Sequence, residues 1–377
     1  MVSSETLFQP AQVGEMSLFH RIVMATLTRL RIDADHVPLP VVVKYYAQRA
    51  SVPGTLLITE ATLISHQAGG YAFVPGIWSD KQVERWKEVT DAVHAKGSYI
   101  YLQLWALGRA ASPSQPTYEP NFPYPYVSAS NIPMEPGDPF IPRPLEVSEI
   151  QEYIAWYTTA AKNAERAGFD GVEIHAANGY LLDQFLQDVS NVRTDGYGGS
   201  VENRARFTLE VVDAVVEAVG AKKTAIRISP WSSIQGMRMA DPVPTFQHLV
   251  QRLKRAHPTL SYLHVIEPRV DGFQLRENLP AEENNDFLRA IWASEGAEKP
   301  SQSWFISTGG HDSETALKGA REKGDLIAFG RMFIGNPDLP YRLKHGIPLN
   351  QADRTTFYIP TNEPKGYTDY PFAASVE

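Results

Sequence analysis

Short, almost wholly apolar runs recur along the chain, separated by stretches whose apolar residues return every three or four positions. The runs read as strands over residues 21–25, 55–60, 98–105, 171–175, 224–229, 262–267, 304–308 and 325–329. The helical spacings fall between and after them, over 40–51, 80–96, 148–167, 200–219, 244–257, 285–294, 313–323 and 339–345. Local signals punctuate these helices. Ser79 is placed to cap the second, with Trp86, Val89 and Val93 on one face and Gly97 as its stop. Ser148 and Gln151 have the spacing of a capping box for the third, which Gly168 ends, and Gly220 closes the fourth.

Strands with few alternating polar positions are covered on both faces, as parallel strands are. Eight strand–helix repeats without a break in composition predict one domain over 1–377, a (β/α)₈ barrel. A doubly wound sheet is the structural rival, but no G-x-G-x-x-G opens a first helix. The extra length has places: 1–20 as an N-terminal cap on the barrel bottom, and long loops after strand three (112–144, Pro-rich) and strand six (267–284). The Tyr-, Phe- and Pro-rich segment 353–377 is expected to wrap the outside. Loops after barrel strands lie on the catalytic face, so the two inserts are lid candidates.

Composition narrows the partners. A net charge of −8, from 35 basic and 43 acidic residues, disfavours nucleic acid and anionic membrane. Without cysteine there is no disulfide, thiolate metal site or thiol nucleophile. The start lacks a secretory pattern and no run reaches the length of a membrane span, so a cytoplasmic location is expected.

In a barrel the strand ends converge on one mouth. The fourth strand delivers His175, then Asn178 and Tyr180, three hydrogen-bonding side chains at a strand-to-helix junction. Taken singly, each has an ordinary structural explanation: a core histidine, a turn, a half-buried aromatic. Strands seven and eight end in Thr308-Gly309-Gly310 and Phe329-Gly330-Arg331, glycine loops with an arginine where barrels often hold phosphate. Arg227, inside an apolar strand, requires an anion or an electron-rich acceptor. With Gln103 and Thr28 it suits the polar edge of a planar heterocycle, walled by Trp105 and Tyr180. Metal chemistry fits poorly, because the mouth histidines are scattered. A glycosidase remains a rival through Glu60, Glu173 and Glu267, although Glu173 lies one layer deeper than His175 and strand seven offers no carboxylate. Otherwise these glutamates are expected to be buried and paired with strand arginines.

Y-Y-x-Q-R-A-S-V-P-G-T-L-L-I-T-E-A at 45–61, Q-L-W at 103–105 and D-G-V-E-I-H-A-A-N-G-Y-L at 170–181 carry a family likeness, as do Y-G-G-S-V-E-N-R-A-R-F at 197–207 and F-G-R-M-F-I-G-N-P-D-L at 329–339. The chain resembles the Old Yellow Enzyme family of FMN-dependent ene-reductases, of the yeast and fungal type, nearly end to end. The 45–61 block is most similar to reductases of fungal specialised metabolism, including ergot-alkaloid aldehyde reductases. The resemblance implies FMN, reduced by NADPH or NADH, and an enone, enal or nitroalkene substrate in a monomer or homodimer. It implies Thr28 at the flavin O4 region and Gln103 and Arg227 at the pyrimidine edge, with Gly309, Gly310, Gly330 and Arg331 at the phosphate. It implies His175 and Asn178 on the substrate oxygen, Tyr180 as proton donor, and Trp105, Phe273 and Tyr358 around the substrate. Thr26 stands where many relatives have proline and Ala61 where yeast members have glycine, both against the flavin; Gly310 replaces a side chain, leaving only its backbone for the phosphate. A catalytically silent flavin-binding protein and the glycosidase are the alternatives.

Overall fold

A computed structural model describes residues 5–272, 274–293 and 304–374. Phe273, Ser294 at the predicted end of the sixth helix, and residues 375–377 at the end of the expected wrap lie outside them. Eight parallel strands close into a ring: β1 (Ile22–Met24), β2 (Leu56–Ile58), β3 (Tyr99–Trp105), β4 (Gly171–Ala176), β5 (Thr224–Ile228), β6 (Tyr262–Ile266), β7 (Trp304–Thr308) and β8 (Leu326–Phe329). Their hydrogen-bonded order is β2-β1-β8-β7-β6-β5-β4-β3, and β2 pairs with β3 to complete the circuit. Eight helices alternate with them: α1 (Pro40–Arg49), α2 (Asp80–His94), α3 (Val147–Arg166), α4 (Val201–Val219), α5 (Val243–Ala256), α6 (Asp286–Ala293), α7 (Ser313–Lys323) and α8 (Leu339–His345). The (β/α)₈ barrel expected from periodicity is the observed fold. No described helix is long and apolar enough to cross a membrane.

The period-two geometry of a strand sorts its residues between two cores. Ile100, Leu102, Val172, Ile174 and Val265 join the large cluster shared with the helices. Leu56, Ile58, Tyr101, Ala225, Tyr262 and Ile306 alternate with them and form a second cluster. Ala11, Val13, Met16 and Leu18, from a hairpin of Ala11–Val13 with Met16–Leu18, belong to that second cluster, so the N-terminal segment does cap the barrel. The hairpin turns at Gly14, whose φ is +55°, and a Cβ there would lie 2.2 Å from the Lys222 carbonyl oxygen.

Several boundaries differ from expectation. The capping box of α3 is formed by Glu146 and Glu149, two residues before the predicted pair. Arg143 grips Glu149 through both guanidinium Nη atoms, at 2.7 and 2.6 Å, and Glu149 in turn accepts from the Glu146 N–H. A short helix, Arg331–Gly335, directly follows β8. The C-terminal segment does more than wrap the outside. Arg29 donates to the carbonyls of Phe357 (3.2 Å) and Gly366 (2.8 Å), Arg49 donates to that of Tyr367 (3.1 Å), and Tyr367 stacks on Tyr45 at 4.0 Å. Buried arginines thus draw its backbone against α1 and the loop after β1.

Replacing Gly14 with alanine combines left-handed backbone strain with a carbonyl collision. We expect a loss of about 1–3 kcal/mol of stability, read as a lowered thermal midpoint. An unchanged midpoint would mean that the cap does not seat tightly on the barrel.

Candidate active site

Above the apolar stratum the inward positions become polar. The parallel register sets Gln103 beside Glu173 and Arg227 between His175 and His264. Glu173, fully buried, accepts from Gln103 Nε2 at 2.6 Å and pairs with His264 Nδ1 at 2.8 Å. Burial alone would raise its pKa, but His264, Arg227 and Gln103 outweigh that and hold the carboxyl below the usual range. Burial also holds His264 below its ordinary range, so its imidazole is neutral and donates Nδ1–H to the carboxylate. The expectation that Glu173 pairs with a strand arginine is therefore corrected. Its hydrogen-bond partners are a histidine and an amide, and Arg227 supplies longer-range charge. Glu267 pairs with Arg289 on α6, not with a strand arginine, and accepts from Ser307 Oγ on β7 at 2.9 Å. Glu60 is pushed up to about 7 by burial, against the opposing pull of Arg29. No two of these glutamates are left as a free pair facing one bond, as a glycosidase requires.

His175 ends the inward row of β4 and is 3% exposed. Burial, reinforced by Arg227 and then His264, holds its pKa well below the usual imidazole value. Asn178 sits at φ +58° and is pinned through its main chain: its N–H donates to Ser229 Oγ at 2.7 Å, and its carbonyl accepts from Gln235 Nε2 at 2.8 Å. Its side-chain amide has no hydrogen-bond partner among the described residues and stays available. Asp183 orders the same turn by accepting from the Gly179 N–H at 2.8 Å and from Gln187 at 2.8 Å. Tyr180 occupies the N-cap position of the short helix Leu181–Leu186 without a side-chain capping bond. Its ring stands edge-on to both His175 and Trp105, with centroids 4.9 Å apart in each case. Burial, with Tyr71 nearby, raises the phenol pKa, so it stays protonated.

Ala61 and Trp105 share a small apolar cluster that Tyr71 and Tyr180 border, so these predicted residues meet. Gly309 (φ +112°), Gly310 (φ +63°), Gly330 and Arg331 follow β7 and β8 on the same rim. A Cβ on Gly310 would lie 2.3 Å from Leu275, which belongs to the hairpin Val270–Asp271/Gln274–Leu275 in the loop after β6. That insert therefore lies directly over the glycine loop. Tyr358 is half exposed, at 51%, and the phenols of Tyr180 and Tyr358 interact electrostatically, as do Tyr358 and Arg331. It lies within electrostatic reach of both the histidine end and the arginine end of the mouth.

The fit to a planar, carbonyl-rich group rests on buried polar atoms that lack a protein partner. Thr26 Oγ1, Gln103 Oε1, His175 Nδ1 and Arg227 Nε are such atoms, and all belong to residues at the upper ends of β1, β3, β4 and β5. They offer hydroxyl, acceptor, imidazole and guanidinium chemistry in one ring of positions, as the pyrimidine side of a flavin requires. Thr28, half-buried, follows on the same loop. Residues not anticipated from sequence are Glu173 and His264 as the buried support, Gln235 and Asp183 beneath Asn178, and Arg269. Arg269 Nε donates to the Gly309 carbonyl at 2.7 Å, placing a second guanidinium at the glycine loop. An arginine two residues after Glu267 was the available signal; the others depend on contacts far apart in sequence.

Residues 6–350 match the NADH:flavin oxidoreductase / NADH oxidase family. The chain is 54% identical over 376 residues to a protein of Penicillium roqueforti (strain FM164), "Chanoclavine-I aldehyde reductase fgaOx3", covering 98% of this chain and 97% of the relative. It is 47% identical over 382 residues to "Probable inactive reductase easA" of Epichloe festucae var. lolii, covering 99% and 96%. The crystal structure of Old Yellow Enzyme from Pichia sp. AKU4542 superposes with a TM-score of 0.87 at 36% identity, covering 99% of this chain and 95% of that one.

His175 should stay neutral as the pH falls through 6.5, with no inflection at that ordinary value in an NMR titration of its ring. The unfolded chain takes up that proton below 6.5 while the folded one resists, so this residue makes acidification destabilising from about 6.5 downwards. An ordinary titration at 6.5 would contradict the buried environment assigned to it.

Proposed function

The chain belongs to the NADH:flavin oxidoreductase / NADH oxidase family, that of the Old Yellow Enzymes, and on that premise we propose that it reduces the activated C=C bond of α,β-unsaturated aldehydes, ketones or nitroalkenes. FMN, when bound, would supply the hydride chemistry, with NADPH or, less well, NADH as the reductant. Gln103, Arg227, Thr26 and Thr28 would hold its pyrimidine side, and Ala61 would pack beside it. The glycine loops, with Arg331 and Arg269, would hold its phosphate.

The single observation that carries this reading is the His175–Asn178–Tyr180 constellation. A neutral imidazole at the end of β4 stands beside a protonated phenol, and an uncommitted amide lies on the rigid turn that follows. His175 and Asn178 donate to the substrate oxygen, where negative charge grows in the transition state. Tyr180 donates a proton to the α-carbon as general acid. Trp105 and Tyr358 shape the space above, a role proposed for Phe273 also. An enal is the favoured substrate class, because the Penicillium relative is called an aldehyde reductase, and a place in fungal specialised metabolism follows from the same likeness.

A silent flavin-binding protein is the second reading, favoured by the relative called probably inactive. Half-reaction kinetics separate the two. The purified protein should be yellow, NADPH should bleach it, and an enal should restore the colour. Retention of the bleached state with every enal, enone and nitroalkene offered would favour the silent reading, and a colourless protein that takes up no FMN would defeat both.

Tyr180→Phe should slow alkene reduction by about 10²–10⁴-fold while leaving flavin reduction nearly unchanged. Equal losses in the two half-reactions would remove Tyr180 from proton donation. His175→Ala or Asn178→Ala should weaken the binding of a phenol such as p-hydroxybenzaldehyde by about 5- to 30-fold, the cost of one lost hydrogen bond; undiminished binding would place the oxygen site elsewhere.

A further inference from the structure

Three side chains outside the mouth converge where the barrel rim meets the insert after β3. His36 comes from the loop after β1, His66 from the turn after β2, and Glu119 from the insert itself. Their ligand atoms all lie within 4.8 Å of one another. His66 Nε2 is 3.1 and 3.2 Å from the two Glu119 oxygens, and His36 Nε2 is 3.4 Å from Glu119 Oε2. These separations match the edge of a tetrahedron around Zn²⁺, about 3.3 Å for bonds of about 2.0–2.1 Å.

The tautomer of His36 makes the arrangement informative. Its Nδ1 lies 2.7 Å from the Val74 carbonyl oxygen and so carries the proton. His36 therefore turns its other ring nitrogen, Nε2, towards a carboxylate oxygen, and a cation between the two atoms, metal ion or proton, is what such an approach needs. His36 is 3% exposed, and its Nε2 is buried without a hydrogen-bond partner. The Nδ1–carbonyl bond is the outer support that metal-binding histidines use. Aromatic rings close the surroundings: Trp78 stacks on His66 at 5.8 Å and lies 5.3 Å from His36, and Phe122 and Tyr124 meet His66 edge-on.

We propose that His36, His66 and Glu119 form a Zn²⁺ site that staples the insert after β3 to the barrel rim. Three protein ligands leave a fourth position for water. Main-chain bonds already run along this seam, from the Glu119 N–H to Gly70 O at 2.8 Å and from the Ala72 N–H to Thr117 O at 2.9 Å. Tyr71, between them, stands edge-on to Trp105 at 5.9 Å, so the staple would stiffen one wall of the mouth without touching the reacting atoms.

The test uses the flavin-loaded full chain, stripped of metal with EDTA and titrated with Zn²⁺. We expect one ion per chain, a thermal midpoint raised by several degrees, and an X-ray absorption spectrum with two imidazoles and oxygen ligands. His66→Ala and Glu119→Gln should each weaken Zn²⁺ binding by at least about 100-fold, more than loss of an outer support does. Both variants should keep the flavin spectrum and NADPH-driven bleaching. Absence of stoichiometric binding by the wild-type protein, a proton alone between His36 and Glu119, or affinity unchanged in both variants would overturn the site. Should a variant fail to fold, the wild-type absorption spectrum decides by itself.

Discussion

The structure depends on one buried charge, the Glu173 carboxylate inside the closed barrel. A carboxylate without solvent is costly unless hydrogen-bonded and charge-balanced. Here Gln103 and His264 satisfy its oxygens, and Arg227 balances its charge from the neighbouring strand. That arrangement engages the Gln103 amide nitrogen, fixes the His264 imidazole, which burial holds below its ordinary range, and keeps a guanidinium at the base of the mouth. Burial, reinforced by the same guanidinium, depresses the His175 pKa well below its ordinary value. The upper stratum is thus a connected polar network resting on an apolar one. Such a network favours a single arrangement because breaking any link strands a buried polar atom.

The mouth divides its work between strands and turns. Gln103, His175 and Arg227 sit on strands, where ladder hydrogen bonds leave little freedom. Asn178 and Tyr180 sit on a turn, and the turn is made stiff by other means. Ser229 and Gln235 tie the Asn178 main chain, while Asp183 ties Gly179. Asn178 and Gln235 both adopt left-handed backbone, at φ +58° and +60°, a conformation that costs energy outside glycine and is held by those bonds. The result is a side-chain amide with its backbone fixed and its hydrogen-bonding groups uncommitted.

The outer parts of the chain serve that mouth indirectly. Arg29 and Arg31 follow β1 at the catalytic end and capture main-chain carbonyls of the C-terminal segment, while Arg49 reaches the same segment from α1. Guanidinium forks suit this task because five N–H groups can serve several carbonyls at once. Tyr358 is carried to the rim by the same segment, and the hairpin after β6 is laid against Gly310. The inserts are therefore parts of the wall, packed against named residues.

Much of this was legible from the sequence. Each strand and helix is set by the spacing of its own apolar residues, and the (β/α)₈ order follows from counting them. His175, Asn178 and Tyr180 were legible as a group because they fall within six consecutive residues, and the glycine loops because a barrel fixes which strand ends are neighbours. The partners of Glu173 were not legible. His264 lies 91 residues away, and only the closure and stagger of the ring bring the two to hydrogen-bond distance. The same holds for Glu267 with Arg289, for the carbonyls that receive Arg29 and Arg49, and for His36, His66 and Glu119, which come from three different loops. The capping box of α3 moved because Arg143, outside the helix, binds Glu149. Periodicity is a property of neighbours along the chain, so the sequence by itself determined the elements and their order. Which charges meet is a property of neighbours in space, and only the tertiary structure decided it.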